Sequence, residues 1–218
     1  FGFRYSHAGL SLRASPNTAW SVRQLYYDCK EQRPRLYDQG LAGFLLGDDA
    51  PATGHVSLLL LPPAAAAQVE REALDERSAL ALLGPHYSAN AYPFSQRYQN
   101  CNQWVAELLA TAWGAGDETR AADGARAAAQ GWLRLQGYTP SVFDLQPWPL
   151  AWLAPFVPLA HLDDHPPHDL ERSRNLVSMP ASIEDFVRQR MPAAQRMEFC
   201  RNDRHVVMRR GWEPIAEG

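Results

Sequence analysis

The stretch from Tyr98 to Leu109, YQNCNQWVAELL, constrains the fold more than any other part of the chain. A helix starting near Asn100 puts Cys101, Trp104, Val105, Leu108 and Ala112 on one face, at offsets of three, four, seven and eleven. Such a face must pack on a sheet. Cys101 then lies in the first turn and points into the protein, where unpaired backbone N–H groups and the helix dipole favour an anion. That setting lowers a thiol pKa and offers donors to an oxyanion. Two readings compete: a small buried residue, or a nucleophile.

A nucleophilic cysteine needs an imidazole to take its proton and a third group to orient that imidazole. Among seven histidines, His7 is best placed. The segment RYSHAGLSLR alternates, with Tyr5, His7, Gly9 and Ser11 on one side and Ala8, Leu10 and Leu12 on the other, which predicts a strand. ASPNTA supplies turn residues, and WSVRQLYYD predicts the second strand of a hairpin. Gln24 shares a face with Trp20, Val22 and Tyr26, so it needs a hydrogen-bond partner, and His7 on the neighbouring strand provides one. Gly9, on the face of His7, leaves room for a helix to come close.

The remaining pattern is helix-rich. RLYDQGLAGFLLG suits a short helix ending at Gly47, and HVSLLLLPP a third strand buried on both faces. Helices are expected over Ala64–Leu83, ended by Gly84-Pro85, and over Thr119–Gly137. From Tyr138 proline and aromatic residues predict an irregular wrap, with Trp148, Trp152 and Phe156 as core packing. Edge strands are expected at Asn175–Met179 and His205–Arg209, with the capping-box-like SIED between them. No repeat or flexible linker interrupts this pattern. It predicts one α+β domain over residues 1–218, an antiparallel sheet with packed helices, in which 138–218 is a Pro- and aromatic-rich extension of the same core.

HLDDHPPHD, residues 161–169, mixes imidazole and carboxylate groups that suit zinc, but its prolines prevent fixed ligand spacing. A polar turn with Asp side chains capping N–H groups is the expected form, and neither metal nor cofactor is assigned. Ser88, Ser95 and Ser141 lack the context of a nucleophile elbow. A net charge of −3 without a basic stripe speaks against nucleic acid as a partner. The longest apolar run, Val56–Leu61, falls far short of the roughly 20 residues a membrane-spanning helix needs, so no integral membrane segment is expected.

The sequence opens Phe1-Gly2-Phe3 without methionine, which fits a trimmed chain or a removed signal peptide. Three cysteines fit a secreted protein with one free thiol, in which Cys29 and Cys200 would pair, or a reducing compartment with three thiols. The expectation leans to export, periplasmic or secreted.

SHAGL, a short hairpin to WSVRQL, and then Y…NCNQWVAEL resemble the circularly permuted branch of the NlpC and papain-like cysteine hydrolases. The order of the lecithin:retinol acyltransferase-like proteins is the nearest parallel: a strand histidine, a polar residue on the next strand, and much later a cysteine opening a helix. The resemblance implies a permuted papain-like fold with His7 as base, Gln24 as orienting residue and Cys101 as nucleophile. Asn100, Val105, Glu107 and Leu108 match the helix, and Tyr92 falls where the family places a tyrosine. Tyr92, Asn100 and Asn102 are the implied substrate and oxyanion residues. More narrowly, the layout SHAG…YQN(C/S)NQWV…DHP resembles a bacterial family of unknown function in which serine can replace the cysteine. Gln24 departs from the histidine commoner at that position. The implied activity is cleavage of an amide or ester in a peptide or acyl-containing substrate. The alternatives are a non-catalytic binding module on the same fold and a lipid acyltransferase or hydrolase.

Overall fold

Alternation in the N-terminal part of the chain becomes an antiparallel meander: β1 (Leu10–Leu12), β2 (Ser21–Asp28) and β3 (Arg33–Gln39), in the order β1-β2-β3. The computed structural model describes residues 4–46, 54–115, 124–144, 159–202 and 204–216. β1 is shorter than expected, so His7 lies in the lead-in to the strand rather than inside it. The expected helix from Arg35 is also corrected. Arg33–Gln39 pairs with β2, Gln24 opposite Tyr37 and Tyr26 opposite Arg35, and helix α1 covers only Leu41–Leu46. Pairing along the hairpin, with the Tyr37 hydroxyl donating to Asp28, overrides the weak helical spacing.

A second antiparallel sheet has the order β10-β9-β4: β4 (Gly54–Leu60) pairs with β9 (Gln195–Arg201), which pairs with β10 (Val206–Arg210). β4 is an edge strand, half-buried and with Leu60 exposed, rather than buried on both faces. The helix expected over 64–83 is two, α2 (Pro63–Leu74) and α3 (Glu76–Ala81). Asp75 leaves helical geometry between them and caps α3 by accepting from the Ser78 N–H at 3.1 Å.

α4 (Cys101–Ala110) runs on into a π-type turn over Thr111–Ala115. It packs on β2 and is flanked by α2, α5 (Ala125–Leu135) and α7 (Pro180–Arg190), with all ten residues buried. Trp104 and Leu108 meet Leu12, Leu25, Val69, Leu133 and Phe186 in one core. Each such side chain contributes about 1.5–3 kcal/mol when fully removed from water.

The C-terminal part is more regular than its composition suggests. β7 (Ser141–Asp144) pairs with β8 (Arg174–Val177), preceded by α6 (Pro167–Glu171) and followed by α7. Pro180 opens α7, so Ser182 sits inside the helix and bonds Ser141 instead of capping. Trp148, Trp152 and Phe156 lie outside the described residues. Among the described residues no helix is long and apolar enough to cross a membrane.

Candidate active site

Cys101 is placed by its cap. Asn100 Oδ1 accepts from the Gln103 N–H at 2.7 Å, and its Nδ2 donates to the carbonyls of Ala89 and Ser178 at 3.2 and 3.1 Å. The N3 amide is thereby satisfied, while the N–H groups of Cys101 and Asn102 remain directed at the sulfur. Burial pushes the Cys101 thiol up to about 11, against the opposing pull of the Asn102, Ala8 and Cys101 N–H groups and the Tyr87 hydroxyl. With the residue only 7% exposed, lost hydration outweighs these four donors and runs against the thiolate expected from the helix position.

His7 is held by a chain of side chains. Its Nε2 donates to Gln24 Oε1 at 2.7 Å, and Gln24 Nε2 donates to Gln39 Oε1 at 2.8 Å. The ring packs against Tyr26, with centroids 4.7 Å apart, and Phe44, at 5.9 Å. Burial lowers the imidazole pKa below 6.5, opposed by the Gln24 bond, so the ring is neutral at pH 7. With the proton on Nε2, Nδ1 carries the lone pair.

The helix start and the His7 segment are joined. Asn102 Nδ2 donates to the Ser6 carbonyl at 3.2 Å, and the Ala8 N–H, one residue after His7, faces the Cys101 sulfur. Gly9 serves a different contact from the one expected: a Cβ there would lie 2.6 Å from Val22 Cγ1 and 3.3 Å from the Arg23 carbonyl and from Phe44, so the glycine lets its segment lie close against β2 and α1. Among the described residues no hydrogen bond joins Cys101 to His7 directly; the sulfur is occupied by the backbone and Tyr87.

Asn100 spends both ends of its side chain on the fold. Asn102 is buried, its Nδ2 held by Ser6 while Oδ1 has no partner. Tyr92 sits against Phe94 and His165, its N–H donating to Asp164 at 3.0 Å, and the tyrosine at the sulfur is Tyr87. A two-residue parallel bridge delivers it: β5 (His86–Tyr87) pairs with β6 (Tyr98–Gln99), setting Tyr87 opposite Gln99 immediately before the helix. Burial, then the neighbouring Cys101, raises the Tyr87 pKa, so the hydroxyl keeps its proton to donate. Cys29 and Cys200 are free thiols, not a disulfide: Cys29 is exposed beyond the end of β2, and Cys200 faces His55 Nε2 across the sheet at 3.8 Å. Among the described residues no three His, Cys, Asp or Glu side chains gather as a metal set. In the acidic-histidine stretch, Asp164 caps the Tyr92 N–H and His165 Nε2 donates to the Asn90 carbonyl at 2.8 Å.

Beneath Cys101, fully buried Glu107 accepts from Gln99, Gln103 and Gln130 at 2.7, 3.0 and 2.7 Å and from Arg126 at 2.9 Å. Arg126 also donates to the carbonyls of Ser95, Gln96 and Tyr98, tying the loop before Cys101 to α4 and α5. Beside His7, Tyr26 and Tyr37 form an exposed aromatic shelf, 50% and 38% accessible. A groove of about 660 Å³ lined by Arg23, Leu36, Leu74, Leu80 and Leu83 includes none of the site residues.

The family model described as "Uncharacterized protein conserved in bacteria (DUF2145)" matches residues 1–187, from the β1–β3 sheet through α4 and into α7. No curated protein and no solved structure matches the chain.

Proposed function

The chain belongs to this bacterial family, and we propose that it is a cysteine hydrolase of permuted papain-like type, cleaving an amide or ester. The carrying observation is the join between two elements: the sulfur at the first turn of α4 touches the residue that follows His7, whose Nε2 is occupied and whose Nδ1 is free to accept a proton. Both groups rest neutral, so attack is base-assisted rather than from a preformed ion pair. Cys101 Sγ bonds to the carbonyl carbon as its proton passes to His7 Nδ1. Backbone N–H groups at the helix start and the Tyr87 hydroxyl stabilise the oxyanion. Collapse breaks the carbon–nitrogen or carbon–oxygen bond, and the proton leaves on the amine or alcohol. Water then hydrolyses the thioester, giving one proton to His7, which returns it to the thiol. The substrate proposed is a peptide or acyl compound of the bacterial envelope, met in an exported setting and lying along the Tyr26–Tyr37 shelf.

A second reading, a binding module on the same fold, is favoured by the raised thiol pKa and the near-complete burial of Cys101. An acyl-trapping experiment separates the two. With Cys29 and Cys200 changed to Ser, p-nitrophenyl acetate at pH 7.5 should add one acetyl group to Cys101, read by intact mass. The addition should vanish in Cys101→Ala. No acetylation, or acetylation at the same rate in His7→Ala, would leave the binding module.

A further inference from the structure

We propose that Gln39 is a positioning residue that selects the tautomer of His7. The inference rests on the assignment of His7 as base, but its main readout needs no activity. Gln39, Gln24 and His7 form a line in which each amide has one donating and one accepting end. Only two polarities are coherent along such a line. In the one adopted, Gln39 Oε1 accepts from Gln24 Nε2 at 2.8 Å and Gln24 Oε1 accepts from His7 Nε2 at 2.7 Å. The proton then sits on Nε2, and Nδ1 is the base. In the reverse polarity Gln39 donates to Gln24 Oε1 and Gln24 Nε2 donates to His7 Nε2. The proton then moves to Nδ1, and no ring nitrogen is left to receive the thiol proton.

Gln24 cannot decide between them, because it is 1% exposed and both ends of its amide are committed to His7 and Gln39. Gln39 is the exposed end, opposite Val22 at the close of β3, so the choice is made there. The fold makes room for it. Gly43 lies inside α1, where glycine costs about 1 kcal/mol relative to alanine. A Cβ at Gly43 would lie 2.8 Å from Gln39 Nε2 and 3.3 Å from its Cγ, so the glycine leaves space for this amide.

The test replaces residue 39 by groups of one polarity. Glutamate only accepts and enforces the adopted direction; lysine only donates and enforces the reverse. Long-range proton–nitrogen NMR on histidine-labelled protein at pH 8, with His7 assigned by its loss in His7→Ala, reads the tautomer directly. Wild type and Gln39→Glu should carry the proton on Nε2, and Gln39→Lys on Nδ1. Acetylation of Cys101 should persist in Gln39→Glu and fall about a hundredfold in Gln39→Lys, the scale of a lost general base. Gly43→Ala, whose Cβ would crowd the Gln39 amide while leaving Gln24 and His7 in place, should give a mixture of the two tautomers. An Nε2 proton in Gln39→Lys, or an Nδ1 proton in wild type, would overturn the proposal. A tautomer that follows residue 39 in a protein that never acetylates would support the relay and sink the hydrolase.

Discussion

Glu107 and Glu198 are both fully buried carboxylates, yet they anchor opposite sides of the candidate site by different means. Glu107 lies on the same helix as Cys101 and is held by Gln99 and Gln103, within eight residues of it, and by Gln130 and Arg126 on the neighbouring α5. Glu198 sits on β9 and gathers Arg4, the Tyr5 hydroxyl, Arg196 and the Ile215 N–H from across the chain. Arg4 and Tyr5 lead directly into His7. One carboxylate thus fixes the Cys101 side and the other fixes the His7 side. The second lies beyond the 1–187 span matched by the family model, so part of the support for His7 comes from outside that span. A local network makes a rigid platform, whereas a long-range one ties separate segments to a site.

The largest effect should follow from breaking the local network. Glu107→Ala leaves Arg126 buried without its partner and should cost about 3–5 kcal/mol in urea unfolding. A loss below about 1 kcal/mol would mean the loop before Cys101 is held otherwise.

The long-range network should show itself in acid. Burial raises the Glu198 carboxyl, but bonds from Tyr5, Arg4 and Ile215 together with the Arg196 charge outweigh it and hold the pKa at about 2, against 4.5 ordinarily. A depressed folded pKa contributes stability that is fully present above 4.5 and is lost as pH falls towards 2. Glu198→Gln should lower stability at pH 7 by about 1–3 kcal/mol and flatten the decline between those pH values. An unchanged acid slope in the variant would remove Glu198 from the comparison.

A smaller effect is expected at the sulfur. Tyr87→Phe removes one donor and should slow acetylation of Cys101 about tenfold, the equivalent of one hydrogen bond, with the melting temperature little changed.

What the sequence made legible follows the same division. Gln24 and Cys101 could be placed because strand alternation and helix spacing are local signals, and β2 and α4 form where they predict, whereas the strand expected at His7 begins only at Leu10. Tyr87 could not, because a two-residue parallel bridge leaves no periodicity to read, and the family resemblance pointed to Tyr92 instead. β3 was hidden by a pattern that fits short helix and strand alike, and with it Gln39. The rise of the Cys101 pKa was hidden for another reason: helix position is visible in a sequence, while the depth of burial that overrides it is a property of the assembled core.

The most direct test of base assistance is the pH dependence of Cys101 acetylation in wild type and His7→Ala, each with Cys29 and Cys200 changed to Ser. In wild type the rate should rise as His7 loses its proton below pH 6.5 and then level off through neutrality, because neutral imidazole takes the thiol proton. In His7→Ala the rate should be at least about a hundredfold lower at pH 7.5 and climb only as pH approaches 11, where the thiol ionises unaided. Superimposable alkaline curves for the two proteins would contradict the coupling of His7 to Cys101.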